Sequence, residues 1–466
     1  MSGRKLASKL GTIFRAKISA MKTTRSITTG PSSFSRRAFL KGGGALLAGV
    51  TLPQILPTGV LAAADRPGAN DRIGIGFIGI GRQAGGLLQG LLSLPEMRYV
   101  AVADVNMKRA RESAAKHKAV PFQDFRQLLE RKDVDAIVTA TPEHWRLHIC
   151  VMACQAGKDV YAEKPMTLTI REGRLMVQAA RKYKRVFQVG SQQRSQWQNY
   201  TGCELIRNGG LGKVSKVIAY NYPSPWEGDL PAQPVPDELD WEMWCGPNPK
   251  VPFNQDLYLP RANPGWLSFR PYSGGEVTGW GAHGYDQIQC ALGMDDTGPV
   301  EIWTEGGKFD PPTYTKSESK ERGDKICREP KVFFRYANGV LVEPGDEATM
   351  GGAVFYGEKG RVAIARGRCE SDPDELAIDA LRKRPASFND NHQKNWLDCI
   401  KSRARPIADV ETGHRSATVC HLVNIARWTG RKLRWDPVKE EFVGDKDANK
   451  YLDRERRKPW VTPEKI

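Results

Sequence analysis

Two stretches near the start of the apolar part of the chain carry residues suited to holding a nucleotide. Residues 73–86, "IGIGFIGIGRQAGG", contain Gly79-x-Gly81-x-x-Ala84. Gly79 permits a tight turn, Gly81 lets the backbone approach a pyrophosphate, and Ala84 allows close helix–strand packing. A helix opening at this turn presents N–H groups and its positive dipole end to phosphates, which puts Arg82 and Gln83 at the anion-facing start. Asp104 ends the next apolar run, "YVAVADV", 25 residues after Gly79. Its carboxylate suits both ribose hydroxyls and would repel a 2′-phosphate, so the pattern favours NAD over NADP.

Two further stretches place reactive side chains at strand ends. "TATPEHW", residues 139–145, ends a strand at Thr141 and Pro142 and puts His144 on the following loop. A histidine in that place is more often a helix-cap residue than a catalytic one. "YAEKPMTLT" puts Glu163, Lys164 and Pro165 at another strand's carboxyl end. A lysine there reaches a nicotinamide and a substrate hydroxyl together, with Pro165 fixing the backbone and Glu163 holding the lysine's charge or position.

The elements that must position these residues follow from the hydrophobic pattern. Strands are expected at "IGIGFIGI", "YVAVADV", "DAIVTAT", "DVYAEKP" and "VFQVGS", with helices between them, the first over 85–94. Repeated strand–helix–strand units imply a doubly wound parallel sheet, an NAD-binding Rossmann domain over 65–190. From 191 to 466 the texture changes. Residues 220–275 are rich in Pro, Trp and Tyr. Strand-like "KVSKVIAYNY", "VEIWTEG", "KVFFRYANGVLVE" and "GRVAIARG" follow, then the helical "HQKNWLDCIKS" and "GHRSATVCHLVNIARWTG". A second α/β domain with its own sheet is expected there.

Charge separates a leader from the rest. The net charge is +17, but residues 1–64 hold ten Lys or Arg and no Asp or Glu. The remainder is only mildly basic without a dominant block, which argues against a nucleic-acid partner. "SRRAFLKGGGALLAG" and "TGVLAAAD" resemble a twin-arginine export signal cleaved after Ala64, with Arg36 and Arg37 as the pair. Export as a folded protein to the periplasm or envelope is expected. No run outside the leader approaches a membrane span. The nine cysteines form no CxxC pair or Cys/His cluster, so buried thiols are expected rather than a disulfide framework or metal site.

The fingerprint, Asp104, "TPEHW" and "EKP", in this order and spacing, resemble the Gfo/Idh/MocA family of glucose–fructose oxidoreductase and inositol dehydrogenase relatives, in its exported branch. The resemblance covers about 71–460 and includes "VFQVGSQQRS", "GGAVFYGEKGRVAIARG" and "HLVNIARWTGRKLRWDP". It implies a C-terminal domain with an open, mainly antiparallel sheet whose outer face mediates homo-oligomerisation. It maps the family's catalytic lysine onto Lys164. The family's second motif, an Asp with His four residues later, falls on "GWGAHGYDQ". His283 matches the histidine, and Gly279 stands where the aspartate is expected. Asp286, three residues on, shares a helical face with His283 and is expected to orient it.

These residues lead to an NAD-dependent oxidoreductase acting on a sugar, cyclitol or polyol, with NAD held tightly outside the cytoplasm. Lys164 and His283 are the expected acid–base pair, with Asp286 in support. Gly79, Gly81, Arg82, Gln83, Ala84, Asp104, Thr141, Pro142, His144, Glu163 and Gln192 are expected on the cofactor. Arg194, Trp280 and His283 are expected on the substrate. Trp226, Trp241, Trp244, Tyr258 and Trp266 either stack on sugars or pack the domain. Two other readings fit the same residues: a glycoside hydrolase or lyase using NAD transiently, and a non-catalytic sugar- or cofactor-binding protein.

Overall fold

Six consecutive buried residues, with Ile and Phe between glycines, make β1 (Ile73–Ile78) a strand covered on both faces. The computed structural model of the chain describes residues 68, 71–259, 265–311, 313–316, 328–461 and 466. The expected leader therefore lies outside the described residues. β1 is joined by β2 (Met97–Ala103), β3 (Val120–Phe122), β4 (Ala136–Thr139), β5 (Asp159–Ala162) and β6 (Phe187–Val189). The spatial order is β3-β2-β1-β4-β5-β6, and every pair is parallel. Helices α1 (Arg82–Leu92), α2 (Met107–His117), α3 (Phe125–Leu129), α4 (Glu143–Gln155) and α5 (Ile170–Lys182) connect the strands. The order reverses between β1 and β4, which opens a crevice at their carboxyl ends. α1 starts earlier than the sequence pattern suggests, because Gly79, at φ +79°, completes the turn and Gly81 becomes the N-cap.

After α6 (Trp197–Arg207) the chain builds a nine-stranded sheet. In chain order its strands are β7 (Val214–Ala219), β9 (Glu301–Glu305), β11 (Lys331–Arg335), β12 (Leu341–Pro344), β13 (Ala353–Gly357), β14 (Gly360–Ala365), β15 (Arg368–Asp372), β16 (Leu433–Asp436) and β17 (Glu441–Phe442). β8 (Glu227–Gly228) and β10 (Thr313–Tyr314) pair separately. The order is β15-β14-β13-β7-β12-β11-β9-β16-β17. Only the β7–β12 pair is parallel, so the sheet is mixed and mostly antiparallel. The aromatic stretch before it forms short helices α7 (Trp241–Cys245), α8 (Gln255–Tyr258) and α9 (Glu276–Gly279), followed by α10 (Gly281–Ala291).

The late helices do not stay with the second sheet. After α11 (Glu375–Leu381), α12 (His392–Ser402) returns to the first one. There Trp396 and Leu397 join the cluster of Ile75, Phe77 and Tyr161. α13 (Val410–Thr429) gives Val410 and Ala417 to the first domain's core and Val419, Leu422 and Ile425 to the second's. The two sheets are thus riveted by one helix with apolar residues on most of its circumference. No helix among the described residues is long and apolar enough to cross a membrane. The eight described cysteines are all free and buried.

Trp396 is fully buried and lies 5.6 Å from the Tyr161 ring. Trp396→Ala should destabilise the protein by about 3–5 kcal/mol, read as a fall in denaturant midpoint. A variant unfolding with wild-type stability would show that α12 is only peripheral to the first domain.

Candidate active site

A cavity of about 890 Å³ runs along the carboxyl ends of β1, β4 and β5 and is closed on its far side by the second domain. Gly79, Gly81, Arg82, Gln83 and Asp104 line one end, and Lys164, Gln192, Trp280 and His283 line the other. Thr141, Pro142 and Glu163 lie between them. Ala84 is buried beneath the turn, as close helix–strand packing requires.

At the fingerprint end a Cβ on Gly79 would lie 2.7 Å from Thr141 Cγ2, so the strand end and the turn are in contact. A Cβ on Gly81 would meet nothing within 4 Å, so the backbone there faces open space. No side chain caps α1. Asp104 is buried, with Oδ2 accepting from Ile80 N–H at 2.8 Å and Oδ1 from Asn106 N–H at 2.9 Å. Arg109, which the sequence pattern did not single out, stands 3.6 Å from Asp104 and 5.6 Å from the Tyr258 ring centre.

The centre of the site is held by residues on either side of His144. Arg146 is buried; its Nε and Nη2 donate to Thr141 O at 3.0 and 2.7 Å. Its Nη1 donates to Glu163 O and, at 2.8 Å, to Pro165 O. The Lys164 main chain is therefore clamped on both sides. Glu163 accepts from Gln83 Nε2 at 3.1 Å, Gln192 Nε2 at 2.6 Å and Lys164 N–H at 3.1 Å. A Cβ on Gly190 would lie 2.8 Å from that carboxyl group, so only glycine lets β6 pass it. Glu143, fully buried, accepts from Ser273 Oγ at 2.5 Å, Gly274 N–H at 3.3 Å and Thr278 Oγ1 at 3.3 Å. It ties α4 to the turn that carries α9 and α10. Burial pushes its carboxyl up to about 8, against the pull of those hydrogen bonds and of Arg146.

At the other end Lys164 Nζ donates to Gly279 O at 3.3 Å. His283 is buried, and its Nδ1 has no hydrogen-bond partner among the described residues. Burial first, then the positive charges of Lys164 and Arg366 and the nearby His392, hold its imidazole well below the usual histidine range. His283 is thus neutral near pH 7 and has lone-pair capacity to take a proton.

Three expectations are corrected by this geometry. Asp286 does not orient His283: both its oxygens accept from Arg194 Nε at 2.9 Å, and Oδ1 accepts from Ser416 Oγ at 2.6 Å. Its side chain turns toward Ser416 of α13 and is compensated by the buried Arg194 guanidinium. Arg194 is accordingly not on the substrate but buried between Asp286 and Asp295. His144 does not face the cofactor crevice; it is fully buried with Nε2 2.8 Å from Trp244 O. Among the aromatics, Trp244, Tyr258 and Trp266 line the cavity, whereas Trp226 and Trp241 pack in the adjoining cluster. Among the described residues no group of His, Cys, Asp and Glu is arranged to hold a metal.

Comparison with known proteins places this geometry. Residues 73–191 match the model of the Gfo/Idh/MocA oxidoreductase family's NAD-binding Rossmann fold, and residues 203–462 match its C-terminal alpha/beta domain. The chain belongs to the Gfo/Idh/MocA oxidoreductase family. An inositol 2-dehydrogenase of Rubrobacter xylanophilus is 29% identical over 147 residues, 31% of this chain and 42% of that protein. A glycosyl hydrolase family 109 protein of Shewanella pealeana is 26% identical over 159 residues, 30% of this chain and 35% of that protein. These matches span well under half the length of the curated relatives. The WlbA dehydrogenase of Bordetella pertussis, solved with NADH and UDP-GlcNAcA, shares the fold at a TM-score of 0.56 and 17% identity, covering 78% of this chain and 99% of that one.

In this Gfo/Idh/MocA chain the residues fit NAD. The open space at Gly81 and the uncapped start of α1 suit the pyrophosphate. Asp104 keeps acceptor capacity beyond its two backbone N–H donors for a ribose hydroxyl. Asp104→Ala should weaken NAD binding by roughly 1–3 kcal/mol, measured by titration of the purified protein. Unchanged affinity would remove Asp104 from the ribose.

Glu143 sets a pH dependence. Its folded value of about 8 lies above its ordinary 4.5, so the folded state holds a proton that the unfolded chain releases. The stability this contributes is complete below about 4.5 and is lost as pH rises through about 8. Glu143→Gln, which mimics the protonated form, should lose less stability than wild type from about pH 5 to about pH 8 in denaturant titrations. Parallel curves for the two proteins would refute the raised value.

Proposed function

We propose that the protein is an NAD-dependent oxidoreductase that moves a hydride between a carbinol carbon of a sugar, cyclitol or polyol and the nicotinamide. One observation carries this reading: Lys164, from the end of β5, and His283, from α10 of the second domain, line the same cavity as the dinucleotide turn and Asp104. NAD, when bound, supplies the hydride acceptor. The chain's own residues do the rest. The Lys164 ammonium stabilises negative charge developing on the carbinol oxygen. Neutral His283 takes the hydroxyl proton. Trp244, Tyr258 and Trp266 offer apolar faces to a sugar ring. The Asp104 carboxylate favours NAD over NADP.

The leader with Arg36 and Arg37 supports export to the periplasm or envelope, where a tightly held NAD would serve without a free pool. A second copy covering the outer face of the nine-stranded sheet, where Trp303 and Phe333 stack at 5.8 Å, is the expected assembly. The matches to glycosyl hydrolase family 109 proteins favour a second reading, in which the sugar is oxidised, its leaving group is eliminated, water is added and the hydride is returned, so that NAD would not be consumed. Both readings need the same lysine and histidine.

His283→Ala and Lys164→Ala should each lower turnover by about 10²–10⁴-fold while NAD remains bound. The assay follows NADH formation over a sugar and polyol panel, with aryl glycosides alongside. Glycoside cleavage without net NADH would select the second reading. Normal turnover by the His283 variant would defeat its role as the base.

A further inference from the structure

The turn between β14 and β15 reaches the catalytic end of the cavity. Its Gly367 N–H donates to Asn199 Oδ1 at 2.9 Å and to Gln196 Oε1 at 3.1 Å, which fixes the turn against α6. The preceding residue, Arg366, lines the cavity with Lys164, Trp280 and His283. Its guanidinium lies over the Trp280 ring, 4.7 Å from the centroid. Its Nε donates to Gln193 Oε1 at 3.4 Å, and Gln193 is itself buried with Nε2 on Gly351 O at 2.8 Å. Both partners of Arg366 are uncharged. Neither of its Nη groups donates to a described residue.

The carboxylates that line the cavity are otherwise engaged. Asp104 lies at the fingerprint end under the Ile80 N–H. Glu163 accepts from Gln83, Gln192 and the Lys164 N–H. This end carries the charges of Lys164 and Arg366 beside a neutral His283, and the Glu163 carboxylate acts on Arg366 through space without a hydrogen bond to it. A guanidinium resting on an aromatic face keeps its in-plane N–H groups free, and that fork matches the paired oxygens of a carboxylate, phosphate or sulfate.

We propose that Arg366 recognises an oxyanion on the substrate, so that the sugar taken by this site is an acidic one. The proposal rests on the oxidoreductase reading for the reaction, but the recognition is separable from it. Held by Arg366 at one end, the sugar would present a hydroxyl to Lys164 and His283 at the other. The guanidinium acts on binding and orientation and takes no part in proton transfer.

The test is calorimetric binding to the NAD-loaded full-length chain, with NADH formation followed in parallel. The panel pairs glucose and galactose with glucuronate, galacturonate, glucose 6-phosphate and glucose 6-sulfate, so that its arms separate carboxylate, phosphate and sulfate. At least one acidic member should bind roughly 10- to 100-fold more tightly than its neutral parent. Arg366→Gln should erase that preference, Arg366→Lys should restore part of it, and NAD affinity should be unchanged in both. Equal affinity for acidic and neutral sugars, no binding of any acidic member, or a preference that survives Arg366→Gln would overturn the proposal. Retained selectivity without NADH formation would sustain it and count against the oxidoreductase reading alone.

Discussion

Arg146 reaches from the first turn of α4 to three main-chain carbonyls, those of Thr141, Glu163 and Pro165. They belong to the ends of two neighbouring strands, β4 and β5. A buried guanidinium without an ion-paired carboxylate is held by such dipoles only if all of them converge, since desolvation costs several kcal/mol. The geometry of the strand ends is therefore dictated by the cation they surround. Lys164 lies between two of the three carbonyl-bearing residues, so its backbone has little freedom to move. Glu143, one turn earlier on the same helix, grips Ser273, Gly274 and Thr278. One helix end thus positions the lysine directly and the histidine's helix through the adjoining turn.

Electrostatics at the catalytic end follow from that placement. Bringing His283 against Lys164 and Arg366 in a buried site makes its charged form unfavourable. The same surroundings favour negative charge on a substrate oxygen. On the proposed reading, proton acceptance by His283 and stabilisation of an alkoxide by Lys164 would pull against each other until negative charge enters the site. An anionic substituent near Arg366 would offset the positive field and make a protonated His283 less costly. On the proposed reading, substrate binding and proton transfer would be coupled through charge.

The first domain was legible because its signals are local. Glycines at 79 and 81, alternating strand and helix patterns, and Asp104 at a strand end are read within a few dozen residues. Lys164 and His283, which line one cavity, are marked in the sequence by their motifs. The remainder of the site depends on partners far apart in the chain. Asp286 looked like a support for His283 from helical spacing, but its partners are Arg194 and Ser416, 92 and 130 residues away. Arg194 is expected on the substrate from its place in "GSQQRS", yet Asp295 and Asp286 claim it. Arg146 and Glu143 carry one sequence signal, charged residues within the largely apolar helical stretch "EHWRLHICVMACQ". Arg366 carried none, since an arginine at a hairpin turn is ordinary until the turn is placed over a cavity.

Gly279 is the departure from the family pattern that the geometry makes intelligible. A Cβ at that position would lie 2.6 Å from Glu276 Oε2, the far end of a flexible side chain that would have to turn aside. An aspartate at 279 would bring a second negative group against it, a repulsive pair that raises the cost of keeping either one ionised. Glycine avoids that pair, and its main-chain carbonyl faces Lys164 Nζ. A carbonyl accepts a hydrogen bond but cannot take a proton, so position 279 contributes orientation and no acid–base chemistry. On the proposed oxidoreductase reading the hydroxyl proton goes to a side chain that can hold it, and the neutral imidazole of His283, lining the same end of the cavity, is the group assigned to it.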